Sequence, residues 1–182
     1  MGRINSRSKG QRGEKKAIEF FHEWTGMDFK RSPASGGLRG HIMDYTVGDI
    51  ICVEKNYIFP FAVEVKSYEA INFAQMIYEV ESIVFDYWVQ CTDDAQRAEK
   101  FPILLMRYNG LPANFFFVAF DLKDYRLLKE NGISANKRKM LVKIPGKGSI
   151  LITNTDEVLA WDWRKVEKIL QKKLRKRWAK NQ

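Results

Sequence analysis

The sequence is short of the residues that hold a small secreted fold together. Only two of its 182 residues are cysteine, Cys52 and Cys91. Both sit in apolar segments and lack metal-ligand spacing. They read as reduced core thiols of a cytosolic protein, not as a disulfide framework. No apolar run approaches the roughly 18 residues needed to cross a bilayer. The basic N-terminus, MGRINSRSKGQRGEKK, lacks the apolar core of a signal peptide. PGKGS lacks the spacing of a phosphate-binding loop, and no Ser-His-Asp arrangement is visible. There is no internal repeat, low-complexity segment or linker. The expectation is one domain over residues 1–182, in the cytoplasm (the host's, if the gene is viral), without membrane or small-molecule cofactor.

What is present is a core and an uneven charge. Hydrophobic residues make up 45% and aromatics 13%, which excludes a disordered chain. The net charge of +9 is concentrated at the ends: residues 1–16 carry +5, residues 164–182 carry +8, and the body between them −4. A mildly acidic body with basic ends points to a polyanion, nucleic acid before an anionic membrane surface. Residues 1–10 are expected to be a flexible basic arm, and 175–182 a fraying basic tail.

Periodicity places the elements. Ala17, Phe20, Phe21 and Trp24 form a helical stripe over 10–25, with Glu14 on the first turn, where a carboxylate suits the helix dipole. MDFKR reads as a short strand. SPASGGLRG is a surface loop whose Ser35 suits turn chemistry or phosphate binding better than nucleophilic attack. Further helices are expected within 70–82 and over 84–100, the second stopped by Phe101-Pro102. ILLMRY and FFFVAF are apolar strands, DLKDYRLLKE a short helix, and MLVKI with SILIT a peripheral hairpin. Asp162 caps a last helix whose Trp163, Val166, Leu170 and Leu174 face the body, the other face being rich in Lys and Arg.

The stretch that organises the rest is VGDIICV, EKNYIFP, FAVEVKS, two β-rich runs around a polar connector. Glu64 and Lys66 fall on one face of their strand, Val63 and Val65 on the other. A reversal near Lys55–Tyr57 returns Asp49 to within a residue or two of Glu64. Two carboxylates and an ammonium would then meet at the end of a sheet, a set suited to a divalent cation beside a phosphodiester. Solvated strand faces carry the same residue types, so the pattern alone does not decide.

Several pieces occur together in a familiar order. They are Glu14 in a helix after KGQRG, the loop RSPASGG, Asp49 after Gly48, Glu64-Val65-Lys66, and Gln90 in a helix before an apolar strand. In this the chain resembles the PD-(D/E)xK nuclease superfamily, and within it the archaeal-type Holliday junction resolvases, including those of phages. The resemblance covers about residues 8–120, with the terminal helix as a further match. It departs in a long insert at 67–84 and in the heavily basic C-terminus.

The resemblance implies an α/β fold, a restriction-endonuclease-like mixed β-sheet flanked by α-helices, ending here in a basic C-terminal helix. It implies Mg²⁺ or Mn²⁺ held by Asp49, Glu64 and the Val65 carbonyl, with Glu14 binding the metal directly or through water. Lys66 would position the attacking water, and Gln90 would support the site. Arg31, Ser35, Arg39, Lys9, Arg12, Lys172 and Arg175 would contact DNA, and the partner would be a four-way junction gripped by a homodimer. ILLMRY and FFFVAF supply apolar surface enough for a dimer interface. Two other classes stay open: a nicking or restriction-type enzyme of the same superfamily, and a non-catalytic nucleic-acid binder with structural carboxylates.

Overall fold

The apolar runs assemble into one seven-stranded mixed sheet with helices on both faces, a restriction-endonuclease-like α/β architecture. The structure is a computed structural model that describes residues 6–33, 47–72, 75–78, 82–135 and 138–178; at 6–9, 77–78 and 177–178 it describes the backbone alone. In chain order the elements are α1 (Ser6–Thr25), β1 (Phe29–Arg31), β2 (Ile50–Cys52), β3 (Phe61–Tyr68), α2 (Gln75–Tyr78), α3 (Ile83–Arg97), β4 (Phe101–Tyr108), β5 (Phe117–Asp121), α4 (Leu122–Glu130), β6 (Met140–Ile144), β7 (Gly148–Asn154), α5 (Thr155–Leu159) and α6 (Trp163–Trp178). The strand order is β1-β2-β3-β4-β5-β7-β6. Strands β3 and β4 pair in parallel, which the crossover through α2 and α3 permits, and the other described pairs are antiparallel.

Each face of the sheet has its own core. On one, Phe20, Phe21 and Trp24 of α1 meet Phe59, Phe61 and Trp163 in a cluster of ring contacts, and Val166, Leu170 and Leu174 of α6 close over it. On the other, Val84, Phe85, Trp88 and Cys91 of α3 lie on Leu104 and Met106. Strand β3 divides between them: Val63 and Val65 enter the first core, while Glu64 and Lys66 face α3. Both cysteines are free thiols, and burial pushes both above their usual range.

Four expectations change. Helix α1 begins at Ser6, so Glu14 lies well inside it, and the dipole explanation for that carboxylate falls. Helix α3 ends at Arg97, and Phe101 and Pro102 already belong to β4. The β6–β7 hairpin extends the central sheet through β7 on β5, and a short helix, α5, follows it. Strands β4 and β5 are interior, with Leu104, Leu105, Met106, Val118 and Ala119 fully buried beneath helices. These five side chains are spent on the core, so the apolar surface the two segments leave is that of the half-buried Tyr108, Phe115 and Phe117.

Candidate active site

The site is built where β2 leaves β3. Ile50 pairs with Val63, and Asp49 prolongs the ladder: its N–H donates to the Val63 carbonyl (2.7 Å) and its carbonyl accepts from Ser32 N (2.8 Å). The Asp49 carboxylate then accepts from the Val65 N–H at 2.8 Å. Gly48 makes this approach possible. Its φ is +98°, and a Cβ there would come within 2.6 Å of the Val63 carbonyl oxygen.

Across the strand, Glu64 is 4% exposed despite its charge. Lys66 Nζ lies 2.5 Å from its Oε1, and Gln90 Nε2 of α3 donates to the same oxygen at 3.0 Å. Lys66 Nζ also donates to Gln90 Oε1 at 3.2 Å, which closes a three-residue ring of contacts. The ammonium stands 5.0 Å from the centre of the Tyr87 ring, one turn before Gln90 on α3. The expected hairpin geometry and the approach of Gln90 are therefore present. Tyr87 was readable only as part of the apolar stripe of its helix, since nothing in the sequence sets it beneath Lys66.

Glu14 approaches from α1. It is 7% exposed, and its Oε2 is ion-paired with Arg31 Nε. Gly13 lets α1 lie close on β3, because a Cβ there would overlap the Ser67 hydroxyl. The sign of this was a glycine in the interior of an amphipathic helix, where it costs about 1 kcal/mol against alanine unless packing needs it. Arg31, expected on DNA, is thus already engaged with Glu14.

The electrostatics set Asp49 apart. Burial, then the charge of Glu64, push its carboxyl up to about 7, against the pull of the Val65 N–H. Burial also raises Glu64, although Lys66 draws it the other way. Burial raises both carboxyls even with the Lys66 ammonium against Glu64, and their oxygens are the donors hard cations prefer. Among the described residues no group of three or more His, Cys, Asp and Glu has the geometry of a metal centre. The ammonium of Lys66 lies against Glu64, and Glu14 is turned to Arg31. By donor type and charge, then, Asp49 and Glu64 fit a divalent cation.

No contact joins the described side chains of the remaining candidates to this cluster. Arg12 is exposed on α1, and Lys172 and Arg175 are exposed on α6. Lys9 lies in α1 with only its backbone described, and Ser35 and Arg39 are outside the described residues.

A family model described as "Phage putative PDDEXK endonuclease" matches residues 5–175. The chain belongs to this family. The PD-(D/E)xK resemblance read from Asp49 and Glu64-Val65-Lys66 thus stands at the level of the nuclease superfamily, with DNA as the substrate that such nucleases imply. The chain is also similar to "Protein D14" of Escherichia phage T5, 26% identical over 151 residues, covering 78% of this chain and 88% of that protein. No solved structure matches. Among the described residues no helix is long and apolar enough to cross a membrane.

Proposed function

We propose that this PD-(D/E)xK family member is a metal-dependent, structure-selective DNA endonuclease, a Holliday junction resolvase that hydrolyses phosphodiesters to make paired nicks. The observation that carries the reading is the convergence of Asp49, Glu64, Lys66 and Gln90 midway along β3. Asp49 and Glu64, with the Val65 carbonyl, would hold Mg²⁺ or Mn²⁺, and Glu14 would add charge from α1. When bound, the cation supplies Lewis-acid polarisation of the phosphoryl oxygen.

The chain's own groups do the rest. The Val65 N–H fixes one carboxylate oxygen of Asp49. Gln90 holds Glu64 and Lys66 in one arrangement, so the ammonium is oriented before substrate arrives. Lys66 positions the attacking water and offsets negative charge that grows on the phosphate. Arg31 holds Glu14, and the side chains of Ser35 and Arg39 would meet the DNA backbone. Lys9, Arg12, Lys172 and Arg175 would add phosphate contacts that read shape in place of base sequence. A two-fold dimer, one site per subunit, would match the near two-fold symmetry of a four-way junction.

The test is cleavage of a labelled four-way junction beside linear duplex, in Mg²⁺ and in EDTA, with nick positions mapped on both strand pairs and subunit number measured by sedimentation. The reading expects a dimer and opposed, Mg²⁺-dependent nicks in the junction, with linear duplex largely intact. The alternative is a nicking or restriction-type nuclease of the same superfamily. A monomer that cuts linear duplex as fast as junctions would establish it.

A further inference from the structure

Glu64 and Lys66 share their sheet face with a row of aromatic side chains that the proposed chemistry does not use. In register Lys66 lies beside Met106, Met106 beside Phe117, and Phe117 beside Asn154, while Tyr68 lies beside Tyr108. Registered neighbours point to the same face, so Tyr68, Tyr108 and Phe117 share the face of Glu64 and Lys66, with Met106 buried between them. The rings are half-buried and in contact. Tyr87, under the Lys66 ammonium, stacks on Tyr68 with centroids 5.1 Å apart. Tyr108 stacks on Phe117 at 6.2 Å and an interplanar angle of 15°, and Phe115 meets Phe117 edge-on at 5.3 Å.

The row ends in a largely apolar hollow of about 410 Å³, floored by Phe115, Phe117, Met140 and Ile152 and rimmed by Arg138 and Lys139. Three strand spacings, about 14 Å, separate β3 from β7 at the far side of this hollow. Its geometry is set in advance. Lys16 Nζ and Arg107 Nη1 both donate to the Ala113 carbonyl, at 2.6 and 2.7 Å, and so hold the turn that carries Phe115. Lys139 Nζ donates to the Ala135 carbonyl at 2.7 Å. Arg138 faces Asp156 at 3.8 Å, an exposed pair that is weak in water and leaves the guanidinium accessible to a phosphate.

Resting on the reading of this family member as a DNA nuclease, we infer that the hollow and its aromatic row bind unpaired nucleotides, the bases stacked on Tyr108, Phe117 and Phe115 and a phosphate on Arg138. Half-exposed rings bordered by cations are what single-stranded nucleic acid requires: every base has a face to stack, and every linkage a charge to neutralise. Double-stranded DNA keeps its bases stacked on one another and gains nothing from the rings. The row therefore favours, among branched substrates, those with a frayed or single-stranded segment at the branch over continuous duplex.

Binding measured in EDTA separates this inference from the chemistry. The probes are a forked duplex with an unpaired thymidine arm carrying 2-aminopurine, and a fully paired duplex of equal length. Wild type should bind the fork more tightly and change the 2-aminopurine emission. Phe115→Leu with Phe117→Leu, which keeps apolar bulk but removes the ring faces, should lose about tenfold in affinity for the fork and none for the duplex. Arg138→Gln, at an exposed position, should weaken fork binding alone and serves if the double variant does not fold. Equal losses on both probes, or unchanged fork binding by folded variants, would overturn the inference. Absence of Mg²⁺-dependent cleavage of any DNA by wild type would instead remove the nuclease reading and leave the binding result standing.

Discussion

Two acidic groups lie close to β3 and differ in how their charge is met. Glu14 is buried on the α1 side and has a guanidinium of its own, Arg31. Asp49 and Glu64 are buried around β3 and share one ammonium, Lys66, which lies against Glu64. Burial pushes both of these carboxyls toward protonation, Asp49 to about 7. A carboxylate with its own counter-ion is a structural element, and its loss is felt in stability. Carboxylates buried together without enough positive charge destabilise the metal-free fold, and a divalent cation relieves them. On the proposed reading the chemistry lies at Asp49 and Glu64, and Glu14 adds charge from α1 while held by Arg31.

The largest effect expected from this contrast is on turnover. Asp49→Asn or Glu64→Gln should lower Mg²⁺-dependent cleavage on the order of a thousandfold, with DNA binding in EDTA unchanged or slightly tighter because a negative charge facing phosphate is gone. Cleavage at the wild-type rate by either variant would remove that residue from the chemistry. Lys66→Met should cost about a hundredfold in kcat, since its charge is wanted most in the transition state.

Arg31→Gln should behave differently. It strands a buried Glu14 and should lower stability by about 1–2 kcal/mol, discounted because the arginine is part-exposed, with less than tenfold effect on cleavage. Adding Glu14→Gln should restore most of that stability, and chemical denaturation of the four proteins in the cycle measures it. A cleavage loss in Arg31→Gln as deep as that of Asp49→Asn would erase the distinction between the two acidic groups.

How much of this was legible follows the physics of each element. The β2–β3 hairpin was readable because strand period fixes which face Glu64 and Lys66 share, and the short connector fixes their distance from Asp49. The last helix was readable from the spacing of Trp163, Val166, Leu170 and Leu174, all buried in the fold. The Glu14–Arg31 pair was not, because it depends on where α1 begins and on the close approach at Gly13. Strands β4 and β5 misled for a general reason: an apolar strand looks the same in sequence whether helices of its own chain or a second subunit cover it. The position of β7 beside β5 is a long-range choice that no local pattern carries.

A smaller effect concerns the basic helix, far from either acidic group in sequence. Lys172→Gln with Arg175→Gln should reduce the slope of log affinity against log salt by up to about 1.8, if each side chain neutralises one phosphate of a duplex, and leave kcat near wild type. An unchanged slope would make α6 a bystander in binding.

The most direct measurement is thermal melting of wild type and Asp49→Asn from pH 4 to 8, in EDTA and in Mg²⁺. The native Asp49 carboxyl, at about 7, holds its proton more tightly than the ordinary 3.8 of an unfolded chain. Stability from that proton is therefore present at low pH and is lost as pH rises through about 7. Relative to Asp49→Asn, metal-free wild type should fall in Tm across this interval, and a difference of about 1 kcal/mol corresponds to about 2–4 °C. At pH 8 Mg²⁺ should raise the wild-type Tm and leave Asp49→Asn unmoved. An equal rise in both proteins, or no fall of wild type relative to the variant in EDTA, would contradict the account.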